Sequence, residues 1–321
     1  MTYFLVAGGF SLVALSLLFT SFMHVRFKAP RATYGGDPSG LDMHFRNIII
    51  PASNGQRLPG WHLLASHHPN APTVLIMHGW GANRDMMLPL AQIFYRAGMN
   101  CLLFDARNHG HGPEDGISSL PKFAADCKAA IDWLRQRKNG KGPLVLLGHS
   151  LGAGAVLLEA SRRTDIDAVI SIASFAHPLW LMQRHLQRPY KSLTLLRMVS
   201  PLVMAYTQWI IGEKFEDIAP MNAICDIKCP VLLVHGNKDQ IIPLDDMRAI
   251  AEQCPDQKNE ALIVEGAGHE SLDKISQHKS DLLDFLYRHN ILHHHNIGYS
   301  QPKQETSSRN RAAPHLRLVR Q

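Results

Sequence analysis

Gly148-His149-Ser150-Leu151-Gly152 decides the fold. The apolar run Leu144-Val145-Leu146-Leu147 leads into it, and the helical-looking Ala153-Gly154-Ala155-Val156-Leu157-Leu158-Glu159 follows. Strand, sharp turn and helix, with serine at the apex, is the G-x-S-x-G nucleophile elbow. Side chains at 148 and 152 would collide with neighbouring backbone where the chain reverses so tightly, which is why glycine stands at both. The turn lifts Ser150 Oγ out of the sheet and leaves the Leu151 amide facing the reacting centre. A glycine-rich strand–helix connection that merely happens to hold serine is the plain alternative, and the surrounding chain has to decide between them.

Outward from the elbow, the chain alternates. Upstream, Thr73-Val74-Leu75-Ile76-Met77 is a continuous apolar run of the kind buried on both faces of a parallel sheet. A helix is expected over 85–97, a strand over Asn100–Phe104 and a helix over Pro121–Arg137. The elbow strand and its helix to about Arg163 come next, then a strand over Ala168–Ala173. Later come a strand over Val231–Val234, a helix over Asp245–Gln253, a strand over Ala261–Val264 and a closing helix over His278–His289. Ahead of all this, Phe45–Ile50 and Leu58–Ala65 flank an Asn54-Gly55 turn and read as a hairpin. Alternation of this kind implies a doubly wound α/β sheet. Residues 175–222 interrupt it with helical spacing and with Phe175, Trp180, Tyr190, Tyr206 and Trp209. They are expected to form a helical cap over the elbow, since ligands bind beyond the C-terminal ends of the strands.

A serine hydroxyl needs a base, and the base needs an orienting acid. On this architecture they follow in the order Ser, Asp or Glu, His, each just past a later strand. Val231–Val234 runs into His235-Gly236-Asn237-Lys238-Asp239, and Ala261–Val264 runs into Glu265-Gly266-Ala267-Gly268-His269. Asp239 and His269 therefore stand at the required places as acid and base. Asp245 and Asp246 compete for the acid, but they sit past Pro243 at a helix start, where capping accounts for them better. With 19 histidines in the chain, a lone one means little, and His278 and His149 are weaker candidates than His269. An oxyanion would be held by the amides of Leu151 and of Trp80, the latter in the loop His78-Gly79-Trp80-Gly81.

The ordered set His78-Gly79-Trp80-Gly81, Asp105–Gly110, Gly148–Gly152, His235–Asp239 and Gly268-His269 resembles an α/β-hydrolase, closest to the serine aminopeptidase-like and monoglyceride-lipase-like branch. The resemblance covers roughly residues 45–290. It implies a mostly parallel eight-stranded sheet, a Ser-Asp-His triad and no cofactor. It also casts Asp105, Arg107 and His109 as scaffold, with Asn108 standing where many relatives have glycine. The expected activity is ester hydrolysis through an acyl-enzyme, on a small-molecule or lipid-like substrate. A thioesterase, an amidase or peptidase, an acyltransferase and a non-catalytic membrane-tethered binding module remain alternatives.

The ends lie outside the resemblance. Tyr3 through Met23 carries no charge. As a helix it would be about 31 Å long, which matches a bilayer core. It lacks the basic n-region and small-x-small site of a cleaved signal, so residues 1–23 are read as a transmembrane anchor. Arg26, Lys28 and Arg31 follow it and place the catalytic body on the cytoplasmic side. Residues 24–44 read as a linker, 45–292 as the catalytic domain and 293–321 as a disordered basic tail. The net charge of +6 is concentrated near the two ends, with no basic stripe carrying interleaved aromatics, which argues against nucleic acid. The five cysteines, at 101, 127, 225, 229 and 254, read as buried reduced thiols, with no metal site implied.

Overall fold

The strands β3 (Thr73–Met77), β4 (Asn100–Phe104), β5 (Leu144–His149), β6 (Ala168–Ile172) and β7 (Val231–Gly236) are buried at every residue. That is the burial their unbroken apolar runs predict for strands covered on both faces. With β1 (Phe45–Pro51), β2 (Arg57–Leu63) and β8 (Asn259–Val264) they form one eight-stranded sheet of order β1-β2-β4-β3-β5-β6-β7-β8. The pairs β1–β2 and β2–β4 are antiparallel and the others parallel. The computed structural model describes residues 20–21, 25, 28–137, 140–187, 194–254 and 259–293. Nearly all of the expected anchor and tail lie outside them. Among the described residues no helix is long and apolar enough to cross a membrane.

Helices cover both faces. These are α1 (Leu88–Arg96), α2 (Leu120–Arg135), α3 (Leu151–Ser161), α4 (Pro178–Gln187), α5 (Thr194–Ile211), α6 (Pro220–Ala223), α7 (Leu244–Glu252), α8 (Leu272–Gln277) and α9 (Lys279–Arg288). The two-residue side-chain period of the strands splits the core in two. Leu75, Met77, Leu144 and Leu146 pack with α2, α3 and α7, whereas Val74, Ile76, Val145 and Leu147 pack with α1, α8 and α9. The expected hairpin is present, with Phe45 opposite Leu63 and Pro51 opposite Arg57.

One expectation changes. Cys225 and Cys254 form a disulfide with Cα atoms 5.5 Å apart, while Cys101, Cys127 and Cys229 are free. The reading of all five as reduced thiols is therefore corrected. Spacing in sequence carries no information about which turns meet, and these two lie 29 residues apart. The closing helix expected over His278–His289 is α9, and the short α8 precedes it.

The scaffold turn after β4 is an ionic knot. Asp105 is buried and accepts from the Arg84 amide at 2.9 Å, Arg84 Nη1 at 2.8 Å and the His111 amide at 2.9 Å. Arg107 binds Asp126 Oδ1 through Nη2 at 2.6 Å. Asn108 sits at φ 67°, which explains why glycine suits that position; asparagine is among the few side chains that tolerate it.

Glu159 of α3 is buried beside Arg163, 3.7 Å away. Burial pushes its carboxyl up from 4.5 to about 7, against the pull of Arg163 and Arg162. Between those two values the folded chain holds more protons than the unfolded chain, so stability falls as pH rises through that window. Glu159→Gln is expected to remove this slope. Urea melts at pH 5 and pH 7.5 should show the variant gaining up to about 3 kcal/mol on the parent at the higher pH. Parallel pH profiles for the two chains would refute the assignment.

Candidate active site

The elbow is strained, and its neighbours hold the strain. Ser150 has φ 54° and ψ −116°, a conformation costing a side-chain-bearing residue roughly 1–3 kcal/mol. Its amide donates to Ile172 O at 2.9 Å and its carbonyl accepts from the Gly154 amide at 3.1 Å. A Cβ at Gly148 would lie 2.2 Å from Gly152 O, and one at Gly152 would lie 2.4 Å from His78 O. Only glycine at both positions lets β5 turn into α3 this closely against β3.

The structure brings the three expected side chains together. Ser150 follows β5, Asp239 follows β7 and His269 follows β8. His269 Nε2 is 2.9 Å from Ser150 Oγ, and His269 Nδ1 is 2.7 Å from Asp239 Oδ2. The carboxylate fixes the tautomer: Nδ1–H donates to Asp239, leaving Nε2 to accept from the serine hydroxyl. Asp239 Oδ1 accepts from the amides of Ile241 and Ile242, both at 2.8 Å. Burial alone would raise the Asp239 pKa. Hydrogen bonds from His235 and His269, the charge of His269 and the Ile242 amide together hold it well below the ordinary carboxylate range.

The rival residues are engaged elsewhere. Asp245 pairs with Arg248 at 2.8 Å on the surface. Asp246 accepts from the Ala176 amide at 2.9 Å and from Arg184 at 2.7 Å, tying α7 to the segment above it. His278 pairs with Asp281 at 3.0 Å.

Two histidines have structural roles that the sequence left unassigned. His149 Nε2–H donates to the carbonyl of His269 at 2.9 Å and so clamps the loop that presents it. Burial, aided by nearby His269, pulls the His149 pKa down to about 4, which keeps the ring neutral at neutral pH. His235 Nε2–H donates to Ile242 O at 2.9 Å and lies 3.4 Å from Asp239 Oδ2, bracing the acid from behind. Among 19 histidines, neither has a local signal that separates it from the rest.

The loop after β3 passes directly beside the serine. A Cβ on Gly79 would lie 3.0 Å from Ser150 Cβ. His78 is fully buried; Nδ1–H donates to Gly79 O at 2.8 Å and Nε2 accepts from the Ala106 amide at 3.1 Å. This links the loop to the end of β4. Among the described residues, the amides of Trp80 and Leu151 have no backbone acceptor outside regular elements.

Above the serine lies a cavity of about 420 Å³. Gly79, Trp80, Ser150, Leu151 and His269 form its floor. Leu181 and Met182 of α4, with Tyr206, Ile210 and Ile211 of α5, line it from the 175–222 segment. The lining is mostly apolar, so the site pairs a hydroxyl, a base and a carboxylate with a greasy chamber. Among the described residues no group of three or more metal-ligating side chains is arranged to hold a metal ion.

The alpha/beta hydrolase family model matches residues 74–277. Protein bem46 of Schizosaccharomyces pombe is 27% identical over 222 residues, spanning 68% of each chain. YfhR of Escherichia coli is 27% identical over 265 residues, covering 79% of this chain and 83% of its own. An esterase of Pyrococcus furiosus superposes with a TM-score of 0.66 at 21% identity, covering 81% of this chain and 97% of its own. Est1E of Butyrivibrio proteoclasticus, with ferulic acid bound, does so with a TM-score of 0.57 at 17% identity, covering 75% and 99%. At these identities the two solved structures speak to the fold. The family match extends over well over half of the sequence, so the chain belongs to the alpha/beta hydrolase family and is a hydrolase-type enzyme, esterase-like in its fold.

Proposed function

We propose that this chain is a serine hydrolase that cleaves carboxylic esters of apolar acyl groups through an acyl-enzyme. The observation that carries the reading is the continuous hydrogen-bonded line from Ser150 Oγ through His269 to Asp239. His269 Nε2 takes the Ser150 proton as Oγ attacks the ester carbonyl. The Trp80 and Leu151 amides receive the oxyanion. His269 then gives the proton to the departing alkoxide, and a water repeats the sequence to release the acid. Asp239 stays ionised throughout and stabilises the imidazolium.

The apolar chamber supports an aliphatic acyl group, and the uncharged run 3–23 supports a membrane anchor. A cytoplasmic body rests on Arg26, Lys28 and Arg31 alone, and the Cys225–Cys254 disulfide, a bond rare in reducing compartments, lends it no support. The test is turnover on esters of graded acyl length beside thioester and amide analogues. Each methylene buried in the chamber should raise kcat/KM roughly fourfold until the space is filled. Faster turnover of thioesters or amides than of the matched esters would replace this reading with one of those activities.

A further inference from the structure

The chain that leads into the domain is a wall of its cavity. Lys28 and Pro30 line the chamber beside Trp80 and Ile241. The stretch is pinned at successive points. Arg31 Nη1 donates to Gly110 O at 2.6 Å and Gly112 O at 2.9 Å. Asn83 Nδ2 donates to the carbonyls of Ala32 and Thr33, both at 3.3 Å. Tyr34 hydrogen-bonds Asp105 and stacks on His111 with ring centroids 4.2 Å apart. Residues that read as a passive linker thus form a strap fixed across the mouth, and the uncharged run ends at Met23, five residues before Lys28. Five residues span at most about 18 Å.

The roof supplies a second, independent observation. Tyr206, Ile210 and Ile211 of α5 line the chamber. Among the described side chains of the same helix, the exposed ones are Pro201, Leu202, Ala205 and Trp209, none of them charged. Leu202 is 62% and Trp209 76% exposed. A stretch of helix with apolar side chains on both faces needs an apolar partner on each. The cavity provides one.

We infer that the other is the lipid bilayer: the mouth works against the membrane, and the ester enters from the leaflet instead of from water. The inference rests on the ester and anchor readings above. The strap holds the mouth within reach of the bilayer, α5 lays Leu202 and Trp209 into its interface, and Trp80 and Ile241 border the passage. Tryptophan suits that depth because its ring has an apolar body and a polar edge. The substrate class is then a long-chain acyl ester dissolved in lipid.

The experiment uses the full chain reconstituted in phosphatidylcholine vesicles. Two substrates are compared, p-nitrophenyl butyrate in water and p-nitrophenyl palmitate dissolved in the vesicles. Leu202→Glu with Trp209→Glu should leave kcat/KM on the butyrate within twofold and lower the palmitate-to-butyrate rate ratio at least tenfold. An unchanged ratio overturns the inference, and a dimer-to-monomer shift of that variant would assign the face to a second copy of the chain. Should the glutamates unfold the roof, Leu202→Ser with Trp209→Ser decides by the same ratio. A parent chain that turns over neither ester sinks the ester reading, and one that fails to float with the vesicles sinks the anchor reading. An unchanged ratio in a chain that does both refutes the present inference alone.

Discussion

Ser150→Ala is expected to abolish labelling by a fluorophosphonate probe and to lower kcat on the best ester roughly 10⁶-fold, the scale on which removing a nucleophile collapses a triad that acts as a unit. Four other hydroxyls line the same cavity, those of Ser118, Ser119, Tyr206 and Thr207, and Thr207 Oγ1 donates to Val203 O at 2.7 Å. Ser118 Oγ accepts from Asn108, and Ser119 Oγ caps α2 by accepting from the Lys122 amide. The hydroxyl that His269 Nε2 meets is that of Ser150. The loss should come without unfolding, since alanine at φ 54° carries much the same backbone penalty as serine. A melting temperature close to the parent's, together with lost labelling, is therefore the full expected result. Labelling that survives the substitution would put the nucleophile elsewhere.

Asp239→Asn should cost about 10⁴-fold in kcat, the scale of a wrong tautomer. Asp239 Oδ1 is held by the Ile241 and Ile242 amides, so an asparagine must keep its carbonyl there. Its amide NH₂ is then forced toward His269 Nδ1. The histidine can answer only by moving its proton to Nε2, where it can no longer accept from Ser150. The alternative flip, which would rescue the tautomer, costs the hydrogen bonds from both amides, that of Ile242 buried. Asp245→Asn, at a side chain 82% exposed, serves as the comparison and should change kcat less than twofold. Equal damage at the two positions would overturn the acid assignment.

Much of this site is legible in the sequence because each element announces itself locally. The elbow needs glycine at 148 and 152, and Asp239 and His269 each follow an apolar run that ends in a glycine-bearing turn. Strand-end position selected His269 over the other histidines. What was not legible depends on contacts between distant residues. Arg31 reaches carbonyls 79 and 81 residues away, so composition alone made the strap look like a tether. The roles of His149 and His235 likewise emerge only when β5, β7 and β8 lie side by side. The partner of Cys225 is set by how the end of α7 packs, which no spacing rule encodes.

The proposed proton path joins residues 119 positions apart, across strands that pair in the order β5, β6, β7, β8. Ser150 acquires its base only when the last strand at the sheet's edge has been seated. A chain with β8 unpaired would have the correct mass and an intact serine, yet it would be silent to the probe. Covalent labelling of this serine would then count finished molecules, which makes it a folding assay as well as an activity assay.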